Sequence, residues 1–369
     1  MGRTERDQKS IKIAIAGVGN CASSLLQGIE HYGRPEARDG VGLMHLSMGG
    51  YAPGAVEVVA AFDVDVRKVG RPLSEAAFAP PNCTSAISSQ IRESDVIVQM
   101  GPIHDGVAPH MADYAEEQAF RVADEPPVDV AKALVESGAE ILVSYLPVGS
   151  QKAVSAYAEA CLATGVSLVN CVPVFIVSDP AWGERFRAAG IPCAGDDIKS
   201  QLGATILHRT LARLFVDRGV RIDRTYQLNT GGNTDFLNML SRERLASKKV
   251  SKTEAVTSQL PYDAGAGNVH IGPSDYVPWQ KDNKICFLRI EGHGFGGAPI
   301  ELEARLSVQD SPNSAGIVID VLRYVKLARE RGIAGPLLPI SAYTMKHPPV
   351  QMPDIDAAQR IEEFLAGRA

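Results

Sequence analysis

The sequence predicts an α/β protein, with a helix-covered parallel sheet joined to a second, α+β unit. Three observations predict it. Over the first half of the 369-residue chain, apolar β-branched runs alternate with stretches of helical spacing. Such alternation is the mark of a parallel sheet whose crossovers are helices. The first apolar run breaks at glycine and opens at once into a helical stretch. After Gly195 the runs lengthen and alternate with charged residues, which suits a mixed or antiparallel sheet with one face on helices.

In chain order, IKIAIAG reads as the first strand and NCASSLLQGIEHY as a helix. VEVVAAFDVD is a second strand ending in acids, and SDVIVQM a third. VDVAKALVESG is a helix, AEILVSYLP a strand, SQKAVSAYAEACLATG a helix and VSLVNCVP a strand. DPAWGERFRAAG is a helix beginning after Ser178. Residues 33–55 and 101–127 interrupt the repeat; the second follows a strand, where insertions line pockets or merely decorate the surface. Beyond Gly195 a long helix is expected over about 199–217. Strands follow at RTYQLNT, AVTSQL, NVHIGP, CFLRIEGHGF and IELEARLSV. SPNSAGIVIDVLRYVKLARERG and AAQRIEEFLAG are helices that return to the first unit. The expected domains are therefore 1–200 with 311–369, and 201–310.

Composition narrows the class. An apolar content of 45% supports two joined cores, and a formal charge of −6 offers no general polycationic surface for nucleic acid. No apolar run approaches the roughly 20 residues of a membrane helix. The polar start passes directly into a strand, unlike a signal peptide. Cys21, Cys83, Cys161, Cys171, Cys193 and Cys286 form no CxxC pair and read as free thiols in a reducing compartment. The expectation is a cytoplasmic protein without nucleic-acid or membrane partners.

Gly17-Val18-Gly19-Asn20-Cys21-Ala22 lies between the first strand and its helix. Gly17 permits the tight turn, Gly19 lets a pyrophosphate approach the backbone, and Ala22 takes the third small position. Free N–H groups at the helix start face the phosphates. In this context the pattern marks a Rossmann-type, dinucleotide-binding domain. Asp63 closes the second strand, where a carboxylate accepts from ribose hydroxyls and repels a 2′-phosphate, so NAD is expected over NADP. The insertion at 33–55 accounts for its long spacing from Gly17, and Asp65 reads as a surface acid.

The second half carries GDDIKS, NTGGNTDFLN, SKKVSK, KDNK, QDSPNSAG and YTMKHPP. Any one of these lysines alone reads as a solvated surface group. On a helix, however, Lys248 and Lys252 share a face, an unfavourable pairing unless an anion lies between them. Together the segments suggest an anionic, oxygen-rich substrate such as a sugar phosphate. Lysines hold phosphate as point charges, stabilise oxyanions and, when desolvated, transfer protons. No HExxH, GxSxG or Walker A pattern is present. His208 reads as structural, His104 and His110 as candidates, His270 and His293 as strand-surface groups, and Cys171 as packed beside the cofactor site or in the core.

These motifs form a long ordered series: AGVGNCASSLLQG, FDVDVRKVG, VSYLPVGS, GDDIKSQLGAT, SKKVSKTEAVTSQ, NVHIGPSDYV, DSPNSAG and YTMKHPP. On them the chain resembles the myo-inositol-1-phosphate synthase family in its shorter actinobacterial form. The resemblance implies a Rossmann-type NAD-binding domain, a second α+β catalytic and oligomerisation domain, and a homotetramer. It implies that bound NAD oxidises glucose 6-phosphate at C5. C6 then loses a proton and closes on the C1 aldehyde, and the ketone is reduced with no net redox change. By motif, the catalytic set is Asp197, Asp235, Lys248, Lys252, Lys284, Asp310 and Lys346. Lys252, Lys284 and Lys346 serve proton transfer and oxyanion stabilisation, and Lys248 and Asp310 organise them or the phosphate. The substrate phosphate is an alternative acceptor of the C6 proton. NAD is implied on Gly17, Gly19, Asn20, Cys21, Asp63, Ser144, Leu146 and Pro147, and on Asp197 and Lys199 near the domain junction. Some family members use a divalent or monovalent cation; with no self-sufficient ligand motif here, a metal would share ligands with NAD or substrate.

The chain departs from the pattern at LSMGGYAPG, MGPIHDGVAPHM, NCVPVF and WQKDNKICF, near expected pocket edges. These changes leave the lysine set intact and bear on substrate choice. Fructose 6-phosphate, giving a carbocyclic sugar phosphate by the same chemistry, is the alternative. An ordinary NAD oxidoreductase and a non-catalytic NAD-binding regulator leave the lysine series unexplained.

Overall fold

The computed structural model describes residues 9–34, 37, 39–88, 91, 92, 94–265, 267–272 and 275–368. The first half alternates strand and helix. β1 (Ile11–Ala16), α1 (Asn20–Tyr32), β2 (Val56–Asp63), α2 (Leu73–Ala76) and β3 (Val98–Met100) come first. α3 (Val130–Ser137), β4 (Ile141–Ser144), α4 (Gln151–Thr164), β5 (Ser167–Asn170), α5 (Pro180–Ala188) and β6 (Pro192–Ala194) follow. Next are α6 (Ala204–Asp217), β7 (Arg221–Gly231), α7 (Thr234–Asn238), α8 (Ala246–Thr257), β8 (Val269–Ile271) and β9 (Asp275–Tyr276). β10 (Asn283–His293), β11 (Pro299–Gln309), α9 (Asp310–Glu330), β12 (Gly335–Pro336), α10 (Leu338–Thr344) and α11 (Asp354–Leu365) complete the order.

The first sheet has seven strands in the order β12-β6-β5-β4-β1-β2-β3, and all its pairings are parallel. The order reverses between β1 and β4, so a crevice opens above their C-terminal ends, where open α/β sheets take ligands. Ile13, Ile15, Ile141 and Val143 fill one side of the sheet and pack with Val318, Leu322 and Val325 of α9. Thus α9 returns to the first sheet directly after leaving the second. The second sheet runs β11-β10-β7-β8, antiparallel across β11, β10 and β7, with β8 and β9 parallel to β7. Leu288 and Ile290 of β10 and Ile222 of β7 bury against Ala212 and Phe215 of α6 and Val256 of α8. No helix among the described residues is long and apolar enough to cross a membrane.

Three expectations are corrected. The long helix begins at Ala204, because Gly203 is extended (φ −123°, ψ 178°) and residues 196–199 pair instead with 344–347. AVTSQL is no strand: it continues α8 to Thr257, its Ala255 and Val256 buried, and tertiary packing against α6 overrides the period-two pattern. Asp65 is fully buried and not a surface acid; it accepts Arg67 Nη2 at 2.5 Å and Nε at 2.8 Å, and the Arg121 N–H at 3.1 Å.

Candidate active site

Gly17 adopts φ +94°, and a Cβ there would lie 2.8 Å from the Tyr145 carbonyl oxygen. Only glycine lets the turn pass this close to the chain leaving β4. At Gly19 a Cβ would meet nothing within 4 Å, so the backbone there is open to the crevice. α1 starts at Gly19 with no side-chain cap, which leaves its first N–H groups available to an anion. Asp63 Oδ2 accepts the Val18 N–H at 2.6 Å, while Oδ1 accepts those of Val64 and Asp65 at 2.7 and 2.8 Å. A carboxylate offers about four acceptor sites, so one remains for a ribose hydroxyl. An open glycine backbone, an uncapped helix start and a carboxylate with spare acceptor capacity fit a dinucleotide. Burial, followed by Asp282, Asp310 and Asp235, pushes the Cys21 thiol up to about 12, so it stays neutral.

The same cavity, of ≈ 240 Å³, reaches a lysine–aspartate set drawn from both units. Lys248 Nζ lies 2.8 Å from Asp235 Oδ2, Lys284 Nζ 3.0 Å from Asp310 Oδ1, and Lys346 Nζ 2.7 Å from Asp197 Oδ1. Lys346 also donates to the Ile198 carbonyl, and Ser251 Oγ donates to Asp197 Oδ2 at 2.7 Å. Lys248 and Lys252 stand one turn apart on α8, as their spacing predicts. Lys252 alone makes no hydrogen bond or ion pair among the described residues. Burial, then the charges of Lys248, Lys284 and Lys346, hold its ammonium well below the usual lysine range, against the pull of Asp197. Burial also disfavours the charge on Lys284, yet Asp310 outweighs it and raises that lysine above its ordinary value. For Asp197 burial is likewise overcome, by Lys346 and Lys248, and the carboxyl falls below its ordinary value. The site therefore holds three matched pairs and, among the described residues, one lysine without a carboxylate partner.

All seven residues of the predicted catalytic set line this one cavity, as do Gly17, Gly19, Asn20, Cys21, Asp63, Leu146 and Pro147. Ser144 and Lys199 do not. Ser144 ends the central strand β4, fully buried, with its hydroxyl unpartnered among the described residues. Lys199 turns away, its Nζ bound to the carbonyls of Ala342 and Tyr343. Sequence reasoning missed Lys68, which is buried and lines the cavity. Its signal was a lone lysine soon after the strand-end acids. Residues 101–127 contribute Pro102, Ile103, Gly106 and Phe120 to the cavity, so this insertion lines the pocket. His110 is spent on the Leu237 carbonyl at 2.9 Å, and His208 on Thr225 Oγ1 at 2.8 Å.

Comparison with known proteins extends along the chain. Residues 203–311 match the sequence family described as myo-inositol-1-phosphate synthase. The chain is 54% identical to an inositol-3-phosphate synthase of Mycobacterium tuberculosis, over 97% of this chain and 96% of that protein. It is 53% identical to an inositol-3-phosphate synthase of Corynebacterium glutamicum, over 96% and 98%. The crystal structure of a myo-inositol-1-phosphate synthase-related protein from Thermotoga maritima shares the fold, with a TM-score of 0.77 at 24% identity over 97% and 98% of the two chains.

Proposed function

The chain belongs to the myo-inositol-1-phosphate synthase family, and from that premise we propose that it cyclises D-glucose 6-phosphate to 1D-myo-inositol 3-phosphate with NAD. One observation carries the reading: unpaired Lys252 stands among three lysine–aspartate pairs in the cavity that also holds the glycine loop. An ordinary dehydrogenase has no use for that set. Bound NAD supplies a hydride acceptor and then a donor, so the net redox change is zero.

The chain's own residues do the rest. The Gly17–Gly19 turn and the start of α1 hold the pyrophosphate, and Asp63 takes the ribose. Neutral Lys252 accepts the proton from C6 once C5 is a ketone. Charged Lys284 and Lys346 stabilise the oxyanions at C5 and at C1, where the aldehyde oxygen becomes an alkoxide as the C6–C1 bond forms. Asp310 and Asp197 keep those ammonium groups aimed. The uncapped start of α6 lies beside Ser200, Thr205 and the same lysines, an arrangement suited to the phosphate end of the substrate. Lys248, tied to Asp235, completes the anion-holding side.

Glucose 6-phosphate and fructose 6-phosphate, each supplied with catalytic NAD, separate the readings by phosphorus and carbon NMR of the product. Inositol phosphate without accumulating NADH is the expected result. A different carbocycle formed only from fructose 6-phosphate would overturn the substrate assignment and keep the chemistry.

A homotetramer is part of the same proposal. Its support is the open face of the second sheet: β11 buries none of its residues, and exposed Leu228 and Phe287 stand side by side across β7 and β10. Sedimentation velocity giving a monomer would overturn it.

A further inference from the structure

Lys199 and Arg209 each have side chains only 1% exposed, and both meet a single carboxylate, Asp354 on the first turn of α11. Lys199 Nζ is 3.4 Å from Asp354 Oδ1, and Arg209 Nε is 3.2 Å from Oδ2. Lys199 Nζ donates further to the carbonyls of Ala342 and Tyr343, at 2.7 and 3.2 Å. Those carbonyls belong to the last turn of α10, where a helix leaves its acceptors without partners. Arg209 Nη2 donates to the Met352 carbonyl at 2.9 Å, while its Nη1 and Nε are buried without a hydrogen bond among the described residues, so Nε meets Asp354 as an ion pair only. Two cations thus lie in the interior against one anion, and removing that anion leaves both uncompensated. Burial and Arg209 already push the Lys199 ammonium down to about 7, with Asp354 opposing them.

The cluster stands directly behind the catalytic pair. Residues 196–199 are pinned to 344–347 by main-chain hydrogen bonds. The Lys199 N–H meets the Thr344 oxygen at 2.7 Å, the Lys346 N–H meets the Asp197 oxygen at 2.7 Å, and Asp196 and His347 exchange two bonds of 3.0 Å. The end of α10 carries Lys346 into the cavity two residues after its last turn. Whatever holds the Ala342 and Tyr343 carbonyls therefore sets where the Lys346 ammonium stands.

We propose that Asp354 is a positioning residue for the cyclisation: through Lys199 it holds the end of α10 and so the placement of Lys346 against the substrate. This rests on the reading of Lys346 as a group that touches substrate.

Asp354→Asn, Asp354→Glu and Lys199→Met are made in the full chain and assayed with glucose 6-phosphate and NAD. NAD affinity is measured by calorimetry and folding by thermal melts. Lys199→Met leaves Asp354 and Arg209 as a matched pair, so it tests the idea even where Asp354→Asn does not fold. Misplacing a charged group in the transition state lowers kcat, and a drop of about tenfold or more is expected for Asp354→Asn and Lys199→Met. NAD affinity stays at the wild-type value, and Asp354→Glu recovers most of the rate. Wild-type kcat in folded Lys199→Met or Asp354→Asn, or a loss confined to KM, overturns the proposal. Lys346→Ala, run alongside, separates the two ideas. Full turnover there removes the catalytic reading of Lys346, whereas an inactive Lys346→Ala beside a normal Asp354→Asn sinks only the positioning role.

Discussion

Asp63 and Lys68 grip Val18 from its two ends. The Asp63 carboxylate accepts the Val18 N–H at 2.6 Å, and Lys68 Nζ donates to the Val18 carbonyl at 2.5 Å. Asn82 joins them, accepting from Lys68 at 2.9 Å and donating to the same carbonyl at 3.2 Å. The residue between the two glycines is thus held in one orientation, and with it the amides at the start of α1. A charge-assisted hydrogen bond contributes about 1.5–3 kcal/mol, so Lys68→Met is expected to weaken NAD binding by roughly tenfold or more. At saturating NAD its kcat stays near wild type, because Lys68 bonds to Val18 and Asn82 and to none of the lysine–aspartate set. Calorimetric titration with NAD reads the change directly; unaltered affinity would remove Lys68 from the clamp.

Lys252 ties activity and stability together with opposite signs. Its folded-state pKa lies well below the ordinary 10.5, chiefly through burial. An unfolded chain keeps that proton up to about 10.4. Between the two values the unfolded state binds the extra proton, so the residue costs stability increasingly as pH falls from about 10.4, and fully below its folded pKa. Lys252→Met removes that cost. Its melting temperature is expected to exceed wild type at pH 7, with a smaller gain at pH 9.5, while turnover falls by about 100-fold or more. In the wild type, kcat declines on the acid side as Lys252 takes up its proton. A melting temperature below wild type at pH 7 would contradict the electrostatic account.

Much of this site was legible because its chemistry is written in residue types at set spacings. Gly17 and Gly19 follow a strand and open a helix, and Lys248 and Lys252 lie one turn apart on α8. What failed depends on side-chain direction and distant partners. Lys199 follows Asp197 by two residues, which in a plain extended segment would put both on one face. Asp197 instead sits at φ +63°, the alternation breaks, and Lys199 turns toward α10. Asp65 reads as exposed until Arg67 and the backbone of Arg121 close over it. AVTSQL alternates like a strand, yet its local pattern yields to the packing of α8 on α6. Five strands of the parallel sheet were legible, since buried apolar runs there need no partner to be recognised, but β6 and β12 are too short to show such a run.

Lys284 is the cleanest separator of chemistry from cofactor binding. Its ammonium is held charged by Asp310 at 3.0 Å, on the side of the cavity formed by the second sheet. Lys284→Ala is expected to lower kcat by about 100-fold or more, the scale of removing one oxyanion-stabilising donor. NAD affinity is retained, because the Gly17–Gly19 turn and Asp63 are untouched. Asp310→Asn is milder, since it loosens the aim of Lys284 and leaves the ammonium in place. Steady-state rates beside NAD titrations distinguish these outcomes; parallel loss of both in Lys284→Ala would point to a structural role.

Asp65 anchors the insertion that lines the cavity, so its loss reaches the cofactor site from behind. Arg67, held by the Asp65 carboxylate, donates to the Glu116 and Ala119 carbonyls at 2.5 and 3.0 Å. Arg121, whose N–H also meets Asp65, donates to the carbonyls of Met111 and Tyr114. Between these anchors, Phe120 stands at the cavity wall, and Ala119 and Met111 pack on Leu237 of α7. Asp65→Ala strands a partly buried guanidinium and frees the segment's hold on the end of β2. Breaking one side of a buried pair costs about 3–5 kcal/mol, and the partial exposure of Arg67 brings this toward the lower end. The expected result is a melting temperature several degrees lower, with NAD bound more weakly and kcat at saturating NAD little changed. Hydrogen exchange confined to residues 101–127 and the end of β2 checks the mechanism, since uniform loss of protection would mean global destabilisation in place of a released wall.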